Sequence, residues 1–221
     1  MNERSFIFPS RPMSSIQTAP EPAIDRRTQI LEAAVICFAK RGFHQTSMHD
    51  ISAEAGISVG LIYRYFENKE EVIAAMAARH KTEIHEVVER AGQAPTLLES
   101  LEILFTAHCC ESAPQIQSAF VVDLYAEASR NVQVKELVRD VLQTAMDGVT
   151  EVIARSPEAQ NSAHGLKPKE LAELIFAVAR GMLMRDILQP QEMTAAERRA
   201  RQLEVTRGLW RVLFKPETAY A

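Results

Sequence analysis

Three cysteines in 221 residues, Cys37, Cys109 and Cys110, are too few and too badly spaced to staple a fold. No CxxC pair occurs, and the adjacent Cys109 and Cys110 could be joined only through strained geometry, which excludes a disulfide framework. Buried, inert thiols are the ordinary reading of such cysteines; a vicinal pair sensing oxidants or thiophilic metals is the alternative. Glycine is scarce too, with eight residues and no Gly/Ser tract or collagen-like period. No apolar run reaches the roughly 20 residues that a membrane-spanning helix needs. Arg4, Pro9, Arg11 and Pro12 interrupt the first stretch, so a secretory h-region is missing and a cytoplasmic location without a membrane partner is expected. Nucleophile-elbow, phosphate-loop and HExxH patterns are also missing, which leaves an enzyme no recognisable chemistry. His80 and His85 stand five apart, and His108 and Cys109 are neighbours pointing in different directions. Neither spacing suits joint ligation, so no metal and no cofactor is expected.

What is present is ordinary globular material, 47% hydrophobic and 24% charged. The net charge of −4 is unevenly spread. Residues 1–69 carry 8 Lys+Arg against 7 Asp+Glu, whereas residues 70–221 carry 17 against 22. A front segment less acidic than the rest is compatible with a polyanionic partner. Residues 1–22 hold four prolines and read as a disordered tail. Beyond them nearly every segment has a 3.6-residue apolar period and none alternates as a strand would, which predicts an all-α protein.

The first helix is expected from about Ala23 to Arg41, with Ile24, Leu31, Ala34, Val35 and Phe38 facing inward and Gly42 as its stop. Ser47 with Asp50 forms an acidic capping box that opens a short second helix, ended by Gly56. Ser58 caps a third, Val59 to Phe66, and Asn68 with Glu71 caps a fourth that runs towards Arg90. Further helices are expected from Pro95 for about 16 residues, from Pro114 to about Arg130, from Val132 to Ala154, from Pro168 to Leu188 and from Thr194 to Phe214. The stretch 156–165 reads as a loop.

Two short helices joined at Gly56, with a third ahead of them, have the geometry of a DNA-reading helix-turn-helix. Ile51, Ala55, Ile57, Ile62 and Phe66 fall where the helices bury apolar groups, and Ser52 is small where they cross. On the third helix Leu61, Ile62, Tyr65 and Phe66 share one half of the circumference, and Val59, Gly60, Tyr63 and Arg64 the other. A merely solvated face would carry Glu, Lys and Gln. This one offers a small apolar group, a close-approach glycine, a phenol and a guanidinium, which suit thymine methyls, base edges and phosphates.

The stretch Thr46-Ser-Met-His-Asp-Ile-Ser-Ala-Glu-Ala-Gly-Ile-Ser-Val-Gly-Leu-Ile-Tyr-Arg-Tyr-Phe-Glu-Asn-Lys69 closely resembles the TetR (tetracycline-repressor-like) transcriptional regulators. Arg26-Arg-Thr-Gln-Ile-Leu-Glu-Ala-Ala-Val-Ile-Cys-Phe-Ala-Lys-Arg-Gly-Phe43 resembles the first helix of that family, and the likeness covers about residues 24–84. The resemblance implies an N-terminal three-helix DNA-binding domain, residues 23–84 with its motif at about 47–66. A C-terminal helical domain, 85–221, would dimerise and hold a small-molecule effector. It also implies phosphate contacts from Thr46, Ser47, Tyr65 and Lys69, a groove-edge contact from His49, and a recognition helix that carries Ser58, Val59, Gly60, Tyr63 and Arg64, with sequence discrimination expected from Arg64. Val59 and Leu61 depart from commoner polar or basic residues, leaving Arg64 as the long charged reader.

The implied partners are operator DNA, a second copy of the chain and an effector. Apolar stripes propose the dimer face: Leu171, Leu174, Ile175 and Val178, then Leu203, Trp210 and Leu213. Pocket candidates are Phe105, His108, Cys109, Phe120, Asp123, Tyr125, Phe176, Met182 and Met184. Asp123, inside the apolar run Phe120-Val-Val-Asp-Leu-Tyr125, needs a partner, either a cationic ligand or Arg180 or Arg185. The function expected is a repressor released from its operator by a small, mostly apolar effector. The alternative is an operator-binding regulator whose second domain is a dimerisation or interaction module without a ligand.

Overall fold

A computed structural model of the chain describes residues 25–107, 114–161, 165–188 and 193–214. The tail 1–22 and the candidates His108, Cys109 and Cys110 lie outside them. The described residues fold as helices in the order α1 (Arg26–Gln45), α2 (Met48–Glu54), α3 (Val59–Ile62), α4 (Lys69–Gly92), α5 (Leu97–Thr106), α6 (Pro114–Ala128), α7 (Val132–Arg155), α8 (Pro168–Leu188) and α9 (Ala195–Leu213). A 3-10 turn, Pro157–Asn161, occupies part of the expected loop.

The starts are set by side chains that satisfy the orphan N–H groups of a first turn. Asp25 accepts from Arg27 N at 3.1 Å, Ser58 from Leu61 N at 3.2 Å, Asn68 from Glu71 N at 2.9 Å and Thr96 from Glu99 N at 3.2 Å. Ser47 and Asp50 close the anticipated capping box reciprocally, and Thr194 with Glu197 closes another on α9. Gly42 breaks α1 at φ 77° and ψ 164°, and one further turn follows to Gln45. The third helix is α-helical only to Ile62. It then tightens into two 3-10-like turns, with Arg64 N donating to Leu61 O and Tyr65 N to Ile62 O, before Phe66 N closes an α-type turn onto Ile62 O. α5 ends at Thr106, short of the expected length.

Two apolar cores form. The first joins Ile30, Ala34 and Phe38 of α1, Ile51 and Ala55 around α2, Ile62 of α3 with Phe66 just beyond it, and Val72 of α4. It does not stop at the expected domain boundary, because Phe120, Leu124 and Ala128 of α6 and Val134, Leu137 and Val138 of α7 complete it. α4 likewise runs through residues 84 and 85 without a break. The second core joins Ala91, Leu97, Leu101 and Phe105 with Val152 and Ile153 of α7, Leu171 and Ile175 of α8, and Trp210, Leu213 and Phe214 at the end of α9. Between the two, α4 crosses α7 closely at Gly148, where a Cβ would come within 2.6 Å of Val88 Cγ2.

Candidate nucleic-acid interface

The α2–α3 unit is built from its caps outward. Gly56, at φ 64°, turns the chain between the helices. Gln29 of α1 donates from Nε2 to Ala55 O at 2.6 Å and pins that turn from behind. Ser52 is buried at the crossing and donates to His49 O at 2.8 Å. Ile51, Ile62 and Phe66 fill the interior, and the Arg27 guanidinium lies 4.7 Å over the Phe66 ring. The short helices therefore form a firm, three-sided support with one surface left over.

That surface carries the residues that the resemblance assigns to the recognition helix. Ser58, Val59, Gly60, Tyr63 and Arg64 are all exposed, as is His49 on α2. Tyr63 is 52% accessible and Val59 37%, high values for apolar and aromatic groups with an adjacent core available. A Cβ on Gly60 would meet nothing within 4 Å, so the protein does not itself require glycine there. Tyr65, placed with the core-facing half by helical spacing, is 37% exposed. The tightened turn rotates it outward, as its proposed phosphate role requires, while Leu61 stays partly buried.

Three of the proposed phosphate contacts are otherwise engaged. Thr46 is 1% exposed, and its hydroxyl bonds to Gly42 O at 2.8 Å and Cys37 O at 3.2 Å, so it closes the α1–α2 corner instead of facing a ligand. Lys69 donates from Nζ to Phe43 O at 2.7 Å and lies 4.4 Å over the Phe43 ring, tying α4 to the end of α1. Ser47 is exposed, but its hydroxyl donates to Asp50 Oδ2 at 2.6 Å. Bonds from the Ser47 hydroxyl and N–H, with the Arg41 guanidinium 2.5 Å away, hold the Asp50 carboxyl down at about 2. A firmly ionised carboxylate at that helix start disfavours a phosphate beside it.

The pocket candidates do not converge. Phe105 is buried in the second core, where Phe176 and Met182 are partly buried, and Met184 is exposed. Phe120 stacks on Phe38 of α1 with centroids 6.2 Å apart, so it belongs to the first core. Asp123 meets neither Arg180 nor Arg185 as anticipated. Its Oδ2 accepts from Phe43 N at 2.8 Å, across 80 residues of sequence. The break at Gly42 frees that N–H from the helix ladder, and a buried amide must find an acceptor. Tyr125 lines a groove of about 590 Å³ among α6, α7 and α8, with Lys135, Arg139, Met146, Lys169 and Arg180 on its walls.

The dimer candidates divide as well. Leu171, Ile175, Trp210 and Leu213 are buried in their own chain, with Trp210 stacked on Phe214 at 4.3 Å. Val178 and Leu203 are partly buried, and Leu174 is 43% exposed. Among the described residues, the large apolar side chains left exposed on these two helices are Leu174, Met184, Leu188 and Val212, the last three missed by the stripes. Also missed was Glu127, 2% exposed, whose Oε2 faces His44 Nε2 of α1 at 2.9 Å. Asp123 and Glu127 are four apart in an apolar stretch, and that spacing was the available signal. Cys37 is buried, which pushes its thiol up and away from reactivity. Among the described residues no group of three or more His, Cys, Asp or Glu could hold a metal ion. Among them too, no helix is long and apolar enough to cross a membrane.

Comparison with known proteins agrees with this geometry. Residues 30–76 match the family described as bacterial regulatory proteins, tetR family. The chain is 33% identical over 150 residues to the HTH-type transcriptional regulator UidR of Escherichia coli strain K12, covering 65% of this chain and 68% of that protein. Among solved structures, Salmonella enterica GusR superposes with a TM-score of 0.67 at 25% identity, over 88% of this chain and 98% of that one. FadR from Bacillus subtilis, in complex with stearoyl-CoA, shares the fold with a TM-score of 0.65 at 20% identity, over 81% and 96% of the two chains.

Proposed function

The chain belongs to the TetR family of DNA-binding transcriptional regulators, and from that premise we propose that it is a homodimeric repressor released from its operator by a small, largely apolar effector with an anionic end. The observation that carries the DNA-reading half is the outward set Val59, Gly60, Tyr63 and Arg64 on a unit whose own core is already filled. Arg64 reads a base edge, Val59 meets a thymine methyl or sugar, and Gly60 admits close backbone approach. Tyr63 and Tyr65 hold phosphates and set register without reading sequence. Thr46 and Lys69 contribute indirectly, by fixing the corner from which the unit projects.

Two reading helices are needed for two half-sites about one helical turn apart, and a dimer supplies them. Leu174, Met184, Leu188 and Val212 are exposed apolar side chains on α8 and α9 that a second copy would cover, and Val178 and Leu203 on the same helices are partly buried. The expected domain division, 23–84 and 85–221, is retained as a division of labour although the first core draws on α6 and α7.

The effector reading rests on the groove among α6, α7 and α8. Its walls combine Tyr125, Val138, Leu142 and Met146 with Lys135, Arg139, Lys169 and Arg180 against the single acid Glu173. That balance suits an apolar body ending in a carboxylate or phosphate. A cationic effector is disfavoured, since Asp123 already has its partner. The FadR structure holding stearoyl-CoA shows that this fold accommodates such chemistry in that protein.

The test has two arms. Full-length chain is used to select duplexes from a random pool, and an inverted repeat with half-sites about 10 base pairs apart is the expected product. The selected duplex is then challenged with long-chain carboxylates, acyl thioesters and neutral aromatics while the melting temperature of the protein is followed. An effector must raise that temperature and lower duplex affinity together. Hundredfold release corresponds to about 2.7 kcal/mol of coupling. Selection without a repeat would refute the dimeric operator reading; a panel with no responder would favour the module without a ligand.

A further inference from the structure

The end of α1 is gripped from two sides. Phe43 N donates to Asp123 Oδ2 of α6 at 2.8 Å, and Phe43 O accepts from Lys69 Nζ of α4 at 2.7 Å. The next residue, His44, brings Nε2 to 2.9 Å from Glu127 Oε2, one turn further along α6. Arg130 Nη2 stands 4.0 Å from the same oxygen. Glu127 is a buried carboxylate whose Oε2 lacks a well-aligned hydrogen bond among the described residues, so the His44 ring and the Arg130 guanidinium are the groups that face it. Gly42 makes the grip possible: a Cβ there would lie 3.3 Å from Asp123 Oδ1. The stack of Phe38 on Phe120 closes the apolar side of the joint.

A helix pair can slide on an apolar seam, but one carboxylate bonded to an amide and a second, one turn on, facing an imidazole at 2.9 Å fix both distance and rotation. We propose that Asp123 and Glu127 are positioning residues for operator recognition, setting the angle at which the α1–α3 unit leaves α6 and thereby the half-site spacing that the dimer accepts. This rests on the dimeric reading above. In a dimer the separation of the two α3 helices is the sum of the subunit interface and, twice over, this joint. A slack joint lets each reading unit follow a misplaced half-site, whereas a fixed one does not.

The experiment measures binding of full-length protein to its selected duplex and to the same duplex with one base pair added or removed between half-sites. One pair displaces a half-site by about 3.4 Å along the axis and by roughly 35° around it. Wild type is expected to lose at least about tenfold on the respaced duplexes, equivalent to 1.4 kcal/mol. Asp123→Ala should bind all three within about threefold, and Asp123→Asn, which keeps a carbonyl acceptor for Phe43 N–H, should retain most of the selectivity. A role confined to stability would lower all affinities and leave their ratios unchanged. Should circular dichroism show Asp123→Ala unfolded, His44→Ala serves instead. That side chain is 68% exposed, and its removal should flatten the ratios through Glu127. A folded Asp123→Ala with wild-type ratios overturns the proposal, as does His44→Ala with wild-type ratios where Asp123→Ala is unfolded. A wild type indifferent to spacing overturns the two-half-site reading itself.

Discussion

Gly42→Ala isolates the strained corner on which the DNA-reading unit turns. At φ 77° and ψ 164° the backbone lies in a region that is essentially glycine's own, and holding another residue there costs about 1–3 kcal/mol. Crowding adds to this. The new Cβ would stand 3.3 Å from Asp123 Oδ1, so the carboxylate must retreat by a few tenths of an ångström and lengthen its bond to Phe43 N–H. A bond to a charged group contributes about 1.5–3 kcal/mol when fully made, and a partial loss is a fraction of that. The lower entropy of the unfolded alanine chain offsets about 0.4–1 kcal/mol. The net expectation is a destabilisation of about 1–4 kcal/mol. For a chain of this size that lowers the melting temperature by about 2–4 °C per kcal/mol. Thermal melts at one protein concentration, with urea titrations of unchanged slope, measure it. Gly60→Ala is the control, because nothing lies within 4 Å of its added Cβ. It should be neutral or stabilising by up to about 1 kcal/mol, yet it should weaken operator binding by narrowing the approach to the groove. If Gly42→Ala melts with wild type, the corner is not the strained, occupied joint described above.

Four further outcomes are expected. Gly148→Ala should destabilise by about 1–3 kcal/mol in spite of better helix propensity, because the stiff Val88 stands 2.6 Å from the new methyl; urea titration checks it. Ser47→Ala should cost about 0.5–2 kcal/mol as a lost cap and should also change the acid limb of stability. Asp50 titrates at about 2 when folded, below its ordinary 3.8, so its contribution is complete above pH 3.8 and is lost as pH falls through about 2. Without the serine the profile between pH 4 and 2 should be shallower. Leu174→Glu and Val212→Glu should give folded monomers by sizing and circular dichroism, since both residues are exposed. Leu171→Glu and Trp210→Glu, buried in their own chain, should instead unfold it.

These contrasts also mark what the sequence could reveal. Caps are local chemistry, a hydroxyl or carboxamide three residues from the N–H it accepts, and so Ser47, Ser58 and Asn68 set their helix starts where expected. Gly42 and Gly56 announced breaks because both carry positive φ. The outward face of the third helix followed from its 3.6-residue period, and only Tyr65 moved, when the last turn tightened. Long-range partners were beyond reach. Lys69 and Asp123 have side chains typical of ligand contacts, yet both grip the peptide groups of Phe43, 26 and 80 residues away. An apolar stripe on α8 or α9 shows that a face is buried without showing against what, and so Leu171 and Leu174 were grouped although one is fully buried and the other 43% exposed. Gly148 was invisible because its reason, the Val88 side chain, sits on another helix.

The exposed face of α3 and the turn that follows it should read base sequence, with Arg64 as the long charged reader. This is tested most directly by titrating wild type and Arg64→Ala against the selected duplex and a scrambled duplex of equal length, at several salt concentrations. The side chain is exposed and the fold does not rest on it. Arg64→Ala should lose about 1–3 kcal/mol on the selected duplex, and its affinity for the scrambled one should fall far less. Equal losses on both duplexes, with the salt slope reduced by about one ion, would make Arg64 a phosphate contact and contradict the claim.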